Sequence, residues 1–213
     1  MSYRTVLFDL DGTLLDHFAA IQRAHTHTMR LLGLPAPTAE QVRAAIGGGV
    51  EVAVTRLVGT ARTAEALAIY RPFWDATMLD DVSLLPGARE LLVALKAAGV
   101  KTAVFTNKHG PSSRKICTHL GIGGLLEGNF GATDTPWLKP DPAFAAHVMR
   151  TLGAEAATTA MIGDSPYDLA AAQNGGFAFY GVTTGTHTAA ELRHAGATEV
   201  CPGLAALTPL LLA

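Results

Sequence analysis

Four short apolar runs, rich in β-branched and aromatic residues, recur along the chain, and each gives way to polar or glycine-bearing residues. They are the head of TVLFDLDGTLLD (5–16), VKTAVFTN (100–107), TTAMIGD (158–164) and GFAFYGV (176–182). Apolar without alternation, they have the pattern of parallel strands buried on both faces. NFGAT (129–133) and TEVC (198–201) are weaker strand candidates. Between the runs the apolar positions take helical spacing. GARELLVALKAAG (87–99) closes on Gly99, a natural C-cap. DPAFAAHVMRTLG (141–153) opens with Asp141 as N-cap and Pro142 in the first turn, and ends at Gly153. Alternation of this kind predicts an α/β fold, a doubly wound parallel sheet with right-handed crossovers.

Residues 17–83 break the alternation. They hold helical patterns punctuated by LGLPAPT (32–38), IGGG (46–49) and LVGT (57–60), and no convincing strand. The expected organisation is an α/β core made of residues 1–16 and 84–213, with residues 17–83 as an all-helical cap inserted after the first strand and hinged over the core.

Composition narrows the class. The 213 residues are 49% apolar and 16% charged, which suits a compact chain and argues against disorder. A net charge of −2 offers no basic footprint for nucleic acid or an anionic membrane. No apolar stretch approaches the ~20 residues that span a bilayer. Cys117 and Cys201 are too few for a zinc site or a disulfide framework, and read as reduced thiols. A cleavable leader would carry the first strand away with it, so the expected location is cytoplasmic.

In open parallel sheets ligands bind beyond the carboxyl ends of the strands, so those ends are where chemistry is sought. The first strand ends in Asp9-Leu10-Asp11-Gly12-Thr13, the next in Thr106-Asn107-Lys108, and the third in Gly163-Asp164-Ser165 with Asp168 one helical turn on. Lys139-Pro140 precedes the helix at 142. Each has a plain structural reading. Asp11-Gly12 is a turn signal, and Ser165-x-x-Asp168 with Pro166 is a helix cap. Asp164 has the weakest such account, because a carboxylate ending an apolar strand needs a partner. Jointly, four strand or loop ends supply four carboxylates, a hydroxyl and an ammonium.

FDLDGT, FTNK, LKP and GDSPYD, in that order, resemble the four motifs of the haloacid dehalogenase-like hydrolase superfamily, over residues 6 to about 176. The insert after the first motif, with VRAAIGGG, TNK and GDSPYDLAAAQNGG, is similar to the helical-cap phosphoglycolate phosphatases. The resemblance implies a Rossmann-like core and a phosphatase. Asp9 would be the nucleophile that forms an aspartyl-phosphate, and Asp11 the general acid and then base. Two positions apart on extended chain, they lie on one side. Magnesium would be held by Asp9, the backbone carbonyl of Asp11, Asp164, and Asp168 as ligand or support. Lys139 would neutralise phosphate and Asp9, and Thr106 and Asn107 would hold a phosphate oxygen. Gly47, Gly48 and Gly49 form either a plain interhelical turn or a cap loop that faces the active site and sets specificity.

The expected substrate is a small phosphorylated metabolite, 2-phosphoglycolate among them, in a monomer or homodimer that binds neither nucleic acid nor membrane. The alternative is a hydrolase of the same type for pyrophosphate or nucleoside monophosphates. A receiver-type signalling module would be smaller and lack both the insert and GDSxxD. A sugar phosphomutase of this superfamily carries a histidine where this chain has Ile21. His25-x-His27 is expected to be a solvated pair, since residues two apart on a helix do not share a face. His17 and His109 flank the cleft, either to touch substrate or incidentally. The cap arginines Arg23, Arg30, Arg43, Arg56, Arg62 and Arg71 are expected mostly on solvated faces, though any could meet a carboxylate.

Overall fold

The computed structural model describes residues 3–212. A six-stranded, wholly parallel sheet forms its centre. The strands are β1 (Thr5–Phe8), β4 (Lys101–His109), β5 (Gly128–Ala132), β6 (Thr159–Gly163), β7 (Ala178–Val182) and β8 (Glu199–Cys201), in spatial order β5-β4-β1-β6-β7-β8. The order reverses direction around β1, which is where an open parallel sheet forms a crevice. A separate antiparallel ribbon joins β2 (Leu15–Asp16) to β3 (Ser83–Leu84).

The strands form for the reason their composition implies. β1 and β6 are buried along their whole length. Successive side chains serve two opposite cores: Val6, Phe8, Val104 and Ile162 on one face, and Leu7, Phe105 and Met161 on the other. The first face is covered by α5 (Ala88–Ala97) through Leu91, Leu92 and Leu95, and by α6 (Gly110–His119) through Ile116. The second is covered by α7 (Pro142–Leu152) through Phe144 and Val148, and by α8 (Pro166–Gly175) through Ala171 and Ala172. Each fully buried leucine or phenylalanine contributes roughly 1.5–3 kcal/mol of transfer free energy. Short helices α9 (Ala189–His194) and α10 (Thr208–Leu211) follow the last strands. The caps read from sequence at α7 are present: Asp141 Oδ1 accepts from Ala143 N at 2.8 Å, and Gly153 closes the helix at φ 57°.

Between the ribbon strands stand α1 (Phe18–Leu31), α2 (Ala39–Ala45), α3 (Val50–Val58) and α4 (Thr63–Thr77). Their apolar faces, including Ile21, Val54, Tyr70 and Trp74, join the same hydrophobic cluster as β1 and α5. The ribbon was not anticipated, because two-residue strands are too short to show a period. The weak candidates at 129–133 and 198–201 are edge strands, with only part of their length buried. FTNK lies inside β4, which continues to His109 past an irregularity in its pairing with β5.

Candidate active site

Asp9 follows the last residue of β1, Thr106 to Lys108 lie just before the end of β4, and Asp164 follows β6, so three adjacent strands deliver their ends to one place. Lys139 arrives from the loop before α7, and Asp168 from the first turn of α8. All these side chains line one cavity of ≈310 Å³, closed on its other side by Ile21, Ile46, Tyr70 and Trp74 of the helical insert.

Gly12 makes the approach of β1 to β6 possible. Its φ is +77°, and a side-chain carbon there would stand 2.6 Å from Gly185 Cα and 3.0 Å from Asp164 Oδ2.

The charged groups form two clusters. In the first, Lys139 Nζ donates to Asp9 Oδ1 at 2.7 Å and to Asp168 Oδ1 at 2.5 Å, with Lys139 only 3% exposed. Asp168 Oδ2 accepts from Ser165 N at 3.0 Å and Ser165 Oγ at 2.6 Å, so the cap of α8 and the support of Lys139 are one residue's work. Asp164 Oδ2 accepts from Thr186 N at 2.9 Å and Thr186 Oγ1 at 3.2 Å, and its Oδ1 faces Thr13 Oγ1 at 3.4 Å. Burial pushes the Asp9 carboxyl up from 3.8 to about 6; Lys139 draws it down and Asp168 adds to the rise. Burial, with Asp168 and Asp9 as like charges, pushes Asp164 up to about 8. Burial would lower Lys139, but Asp168 and Asp9 outweigh it and hold the ammonium above its ordinary value.

In the second cluster Lys108 Nζ donates to Asp11 Oδ2 at 2.8 Å and Oδ1 at 3.0 Å, and lies 4.5 Å from the Trp74 ring centroid. His17 Nδ1 is 3.4 Å from Asp11 Oδ1, while its Nε2 faces the Met78 carbonyl at 2.6 Å. Burial would raise Asp11, but Lys108 and His17 override it and hold the carboxyl well below the usual range. The sequence placed His17 beside the cleft without pointing to Asp11, and Lys108 stands 97 positions from its partner. TNK as a motif was the signal that could have found Lys108.

Asp9, Asp164 and Asp168 can each aim an oxygen so that the three atoms lie within 4.8 Å of one another. An all-oxygen, buried, anionic donor set suits a hard divalent cation. The raised Asp9 and Asp164 carboxyls mark a charge excess that such a cation relieves. Asp168 has both oxygens engaged by Lys139 and Ser165, which makes it a support for the site rather than a free ligand. The Asp11 carboxylate stands outside this set, paired to Lys108.

The geometry sharpens two expectations. The side-chain amide of Asn107, which lines the cavity, is engaged by protein groups. Its Nδ2 donates to the carbonyls of Lys139 at 3.0 Å and Gly47 at 3.2 Å, and its Oδ1 accepts from Lys139 N at 2.7 Å. Asn107 therefore fixes the backbone that carries Lys139 and ties it to the insert. In the glycine loop, Gly47 and Gly49 line the cavity, whereas a side chain at Gly48 would meet Tyr167 and Val52 rather than the cavity. Thr106 stays available: its Oγ1 accepts from Lys108 N at 3.2 Å, which leaves its hydroxyl proton for a ligand. His25 is buried against Tyr70 rather than solvated, and His27 stacks on Phe73. The two imidazoles thus serve different neighbours. His109 lines the cavity and bonds Ser112 Oγ at 2.9 Å.

Comparison with known proteins gives a consistent picture. The family model described as haloacid dehalogenase-like hydrolase matches residues 6–182. The protein named Probable phosphatase IndB of Dickeya dadantii is 35% identical over 196 residues, covering 89% of this chain and 85% of its own. A phosphoglycolate phosphatase of Vibrio parahaemolyticus is 31% identical over 192 residues, covering 85% of this chain and 84% of its own. Among solved structures, a haloacid dehalogenase-like family hydrolase of Streptococcus pneumoniae shares the fold with TM-score 0.89 at 24% identity, covering 98% of each chain.

Proposed function

The chain belongs to the haloacid dehalogenase-like hydrolases, and from that premise we propose that it is a magnesium-dependent phosphatase acting through an aspartyl-phosphate on Asp9. Its substrate would be a small phosphorylated metabolite, with 2-phosphoglycolate the leading candidate. The observation that carries the reading is the convergence of Asp9, Asp11, Thr106 and Lys139 on one cavity, with Lys139 Nζ 2.7 Å from Asp9 Oδ1.

Asp9 uses a carboxylate oxygen to attack phosphorus; the bond from phosphorus to the leaving oxygen breaks, and Asp11 delivers a proton to that oxygen. In the second half Asp11 takes a proton from water, which releases phosphate and restores Asp9. Lys108, with bonds to both carboxylate oxygens, holds Asp11 ionised, the state this second half uses. A phosphate dianion that draws Lys108 toward itself raises the proton affinity of Asp11, which takes up a proton from solvent as substrate binds and so can deliver it to the leaving oxygen. Lys139 screens the repulsion between the dianion and Asp9, and the Thr106 hydroxyl donates to a phosphate oxygen. Magnesium, held by Asp9 and Asp164, would supply further charge for the transferring phosphoryl group.

Size supports a small substrate. The cavity of ≈310 Å³ lies at the low end of the ~300–1,000 Å³ usual for ligand sites. Ile21 presents hydrocarbon to it, so that position offers no proton carrier for a mutase. Among the described residues no helix is long and apolar enough to cross a membrane. A cytoplasmic monomer or homodimer completes the proposal, and free Cys117 and Cys201 support that compartment.

The test is phosphate release from a panel of esters, pyrophosphate and nucleoside monophosphates, with magnesium and with EDTA. Release from 2-phosphoglycolate that EDTA abolishes is expected. Poor hydrolysis of it beside rapid turnover of a nucleotide would overturn the substrate but not the mechanism.

A further inference from the structure

Six arginines stand on the helical insert, and the structure accounts for five of them away from the substrate. Arg23 pairs with Asp81 and donates to the Thr77 carbonyl at 3.1 Å. Arg43 lies over the Phe18 ring at 4.2 Å. Arg56 donates to the Ala45 carbonyl at 3.1 Å and the Tyr167 hydroxyl at 3.0 Å. Arg62 holds Glu65 and the Leu32 carbonyl, each at 3.1 Å. Arg30 is exposed and lines no part of the cavity.

Arg71 is exposed and, like Arg30, has no ion pair and no hydrogen bond among the described residues, but it alone of the six belongs to the cavity wall. The other lysine and arginine cations in that wall, Lys108 and Lys139, are already committed to Asp11 and to Asp9 and Asp168. The rest of the insert's wall is largely apolar, from Ile21, Ile46, Val50, Tyr70 and Trp74. Asp75, one turn beyond Arg71, also lines the cavity, but no ion pair joins the two. The cavity thus has one end that takes phosphate and, on the insert, a single uncommitted guanidinium whose planar fork suits a carboxylate.

We propose that Arg71 is the specificity-determining residue of this site: it receives a carboxylate on the leaving group and selects phosphomonoesters that carry a second anion. This rests on the phosphatase reading above and deepens it. Arg71 would act on the part of the substrate remote from phosphorus, so its loss should weaken recognition of the leaving group rather than the chemistry at Asp9.

The experiment compares 2-phosphoglycolate with 2-hydroxyethyl phosphate, which has the same skeleton without the carboxylate. The readout is the ratio of kcat/KM on the two esters, for the natural protein and for Arg71→Gln, Arg71→Lys and Asp75→Asn. The natural protein should favour 2-phosphoglycolate. Arg71→Gln should lower the ratio roughly 10- to 100-fold, mostly through KM, the range of one lost charge-assisted hydrogen-bonded pair. Arg71→Lys should restore part of it, and Asp75→Asn should raise it by removing a like charge. Equal losses on both esters in Arg71→Gln would show that Arg71 only supports the helix, and would overturn the proposal while the phosphatase stands. A natural protein that does not discriminate between the esters would overturn it as well. No phosphate release from any ester, with magnesium present, would instead overturn the phosphatase reading and this proposal with it.

Discussion

Replacing Lys139 by methionine keeps an unbranched side chain, one atom shorter, and removes the ammonium that separates three buried carboxylates. Lys139 bonds Asp9 at 2.7 Å and Asp168 at 2.5 Å, and Asp164 lies in the same cluster. Removing one partner of a buried pair costs about 3–5 kcal/mol, since the remaining charge keeps its desolvation penalty. The carboxylates can escape part of that cost by taking up protons, so the penalty must depend on pH. Asp9 and Asp164 are already raised above 3.8, to about 6 and about 8. Groups raised on folding contribute stability that is complete below about pH 4 and is lost as pH rises through the folded values. Without Lys139 both rise further, and the loss across pH 4–8 steepens. In EDTA, Lys139→Met should therefore cost roughly 3–5 kcal/mol at pH 8 and clearly less at pH 5. For a chain of this size that is a fall in Tm of about 6–20 °C at the higher pH. Urea denaturation followed by circular dichroism and by the fluorescence of Trp74 and Trp137 measures it. A cost below about 1 kcal/mol at pH 8, or the same cost at both pH values, would refute the electrostatic account of the cluster.

The other predictions concern the same site. Asp164→Asn removes the carboxylate most strongly raised by burial, so in EDTA at pH 8 it should stabilise the protein by roughly 1–3 kcal/mol, while magnesium should no longer raise its Tm; thermal melts with and without magnesium check both. Asp9→Asn should abolish turnover, because an amide cannot form the acyl-phosphate. Asp11→Asn should keep the nucleophile and lose roughly 10²–10⁴-fold in rate, with mass spectrometry showing phosphate on the Asp9 peptide; phosphate on Thr106 or Ser165 would reassign the nucleophile. Asn107→Ala frees the Lys139 backbone and its tie to Gly47, and should lower kcat on every ester by about 10- to 100-fold without changing the ranking of substrates in the release assay. A changed ranking would mean that Asn107 touches the leaving group after all.

The central strands could be read from composition alone, because a parallel strand covered by helices on both sides must be apolar at every position, as β1 and β6 are. The order of motifs likewise marked Asp9, Lys139 and Asp164, since ligands of an open sheet collect where strands end. Edge strands β5 and β8 and the short ribbon were faint or invisible for the converse reason, as partial burial or two residues leave no period. What the sequence alone left open was every pairing between distant segments. Asp11 and Lys108 lie 97 positions apart, and only the crossover between β1 and β4 brings an ammonium onto that carboxylate. Only the folded chain shows that both N–H donors of the Asn107 side chain go to the carbonyls of Lys139 and Gly47. Six arginines on one insert are equivalent in a string of letters, and the packing of α4 over the sheet ends decides that Arg71 faces the cavity. The raised carboxyls of Asp9 and Asp164 depend on burial and on neighbours within a few ångströms, which are properties of the packed chain and not of its local sequence.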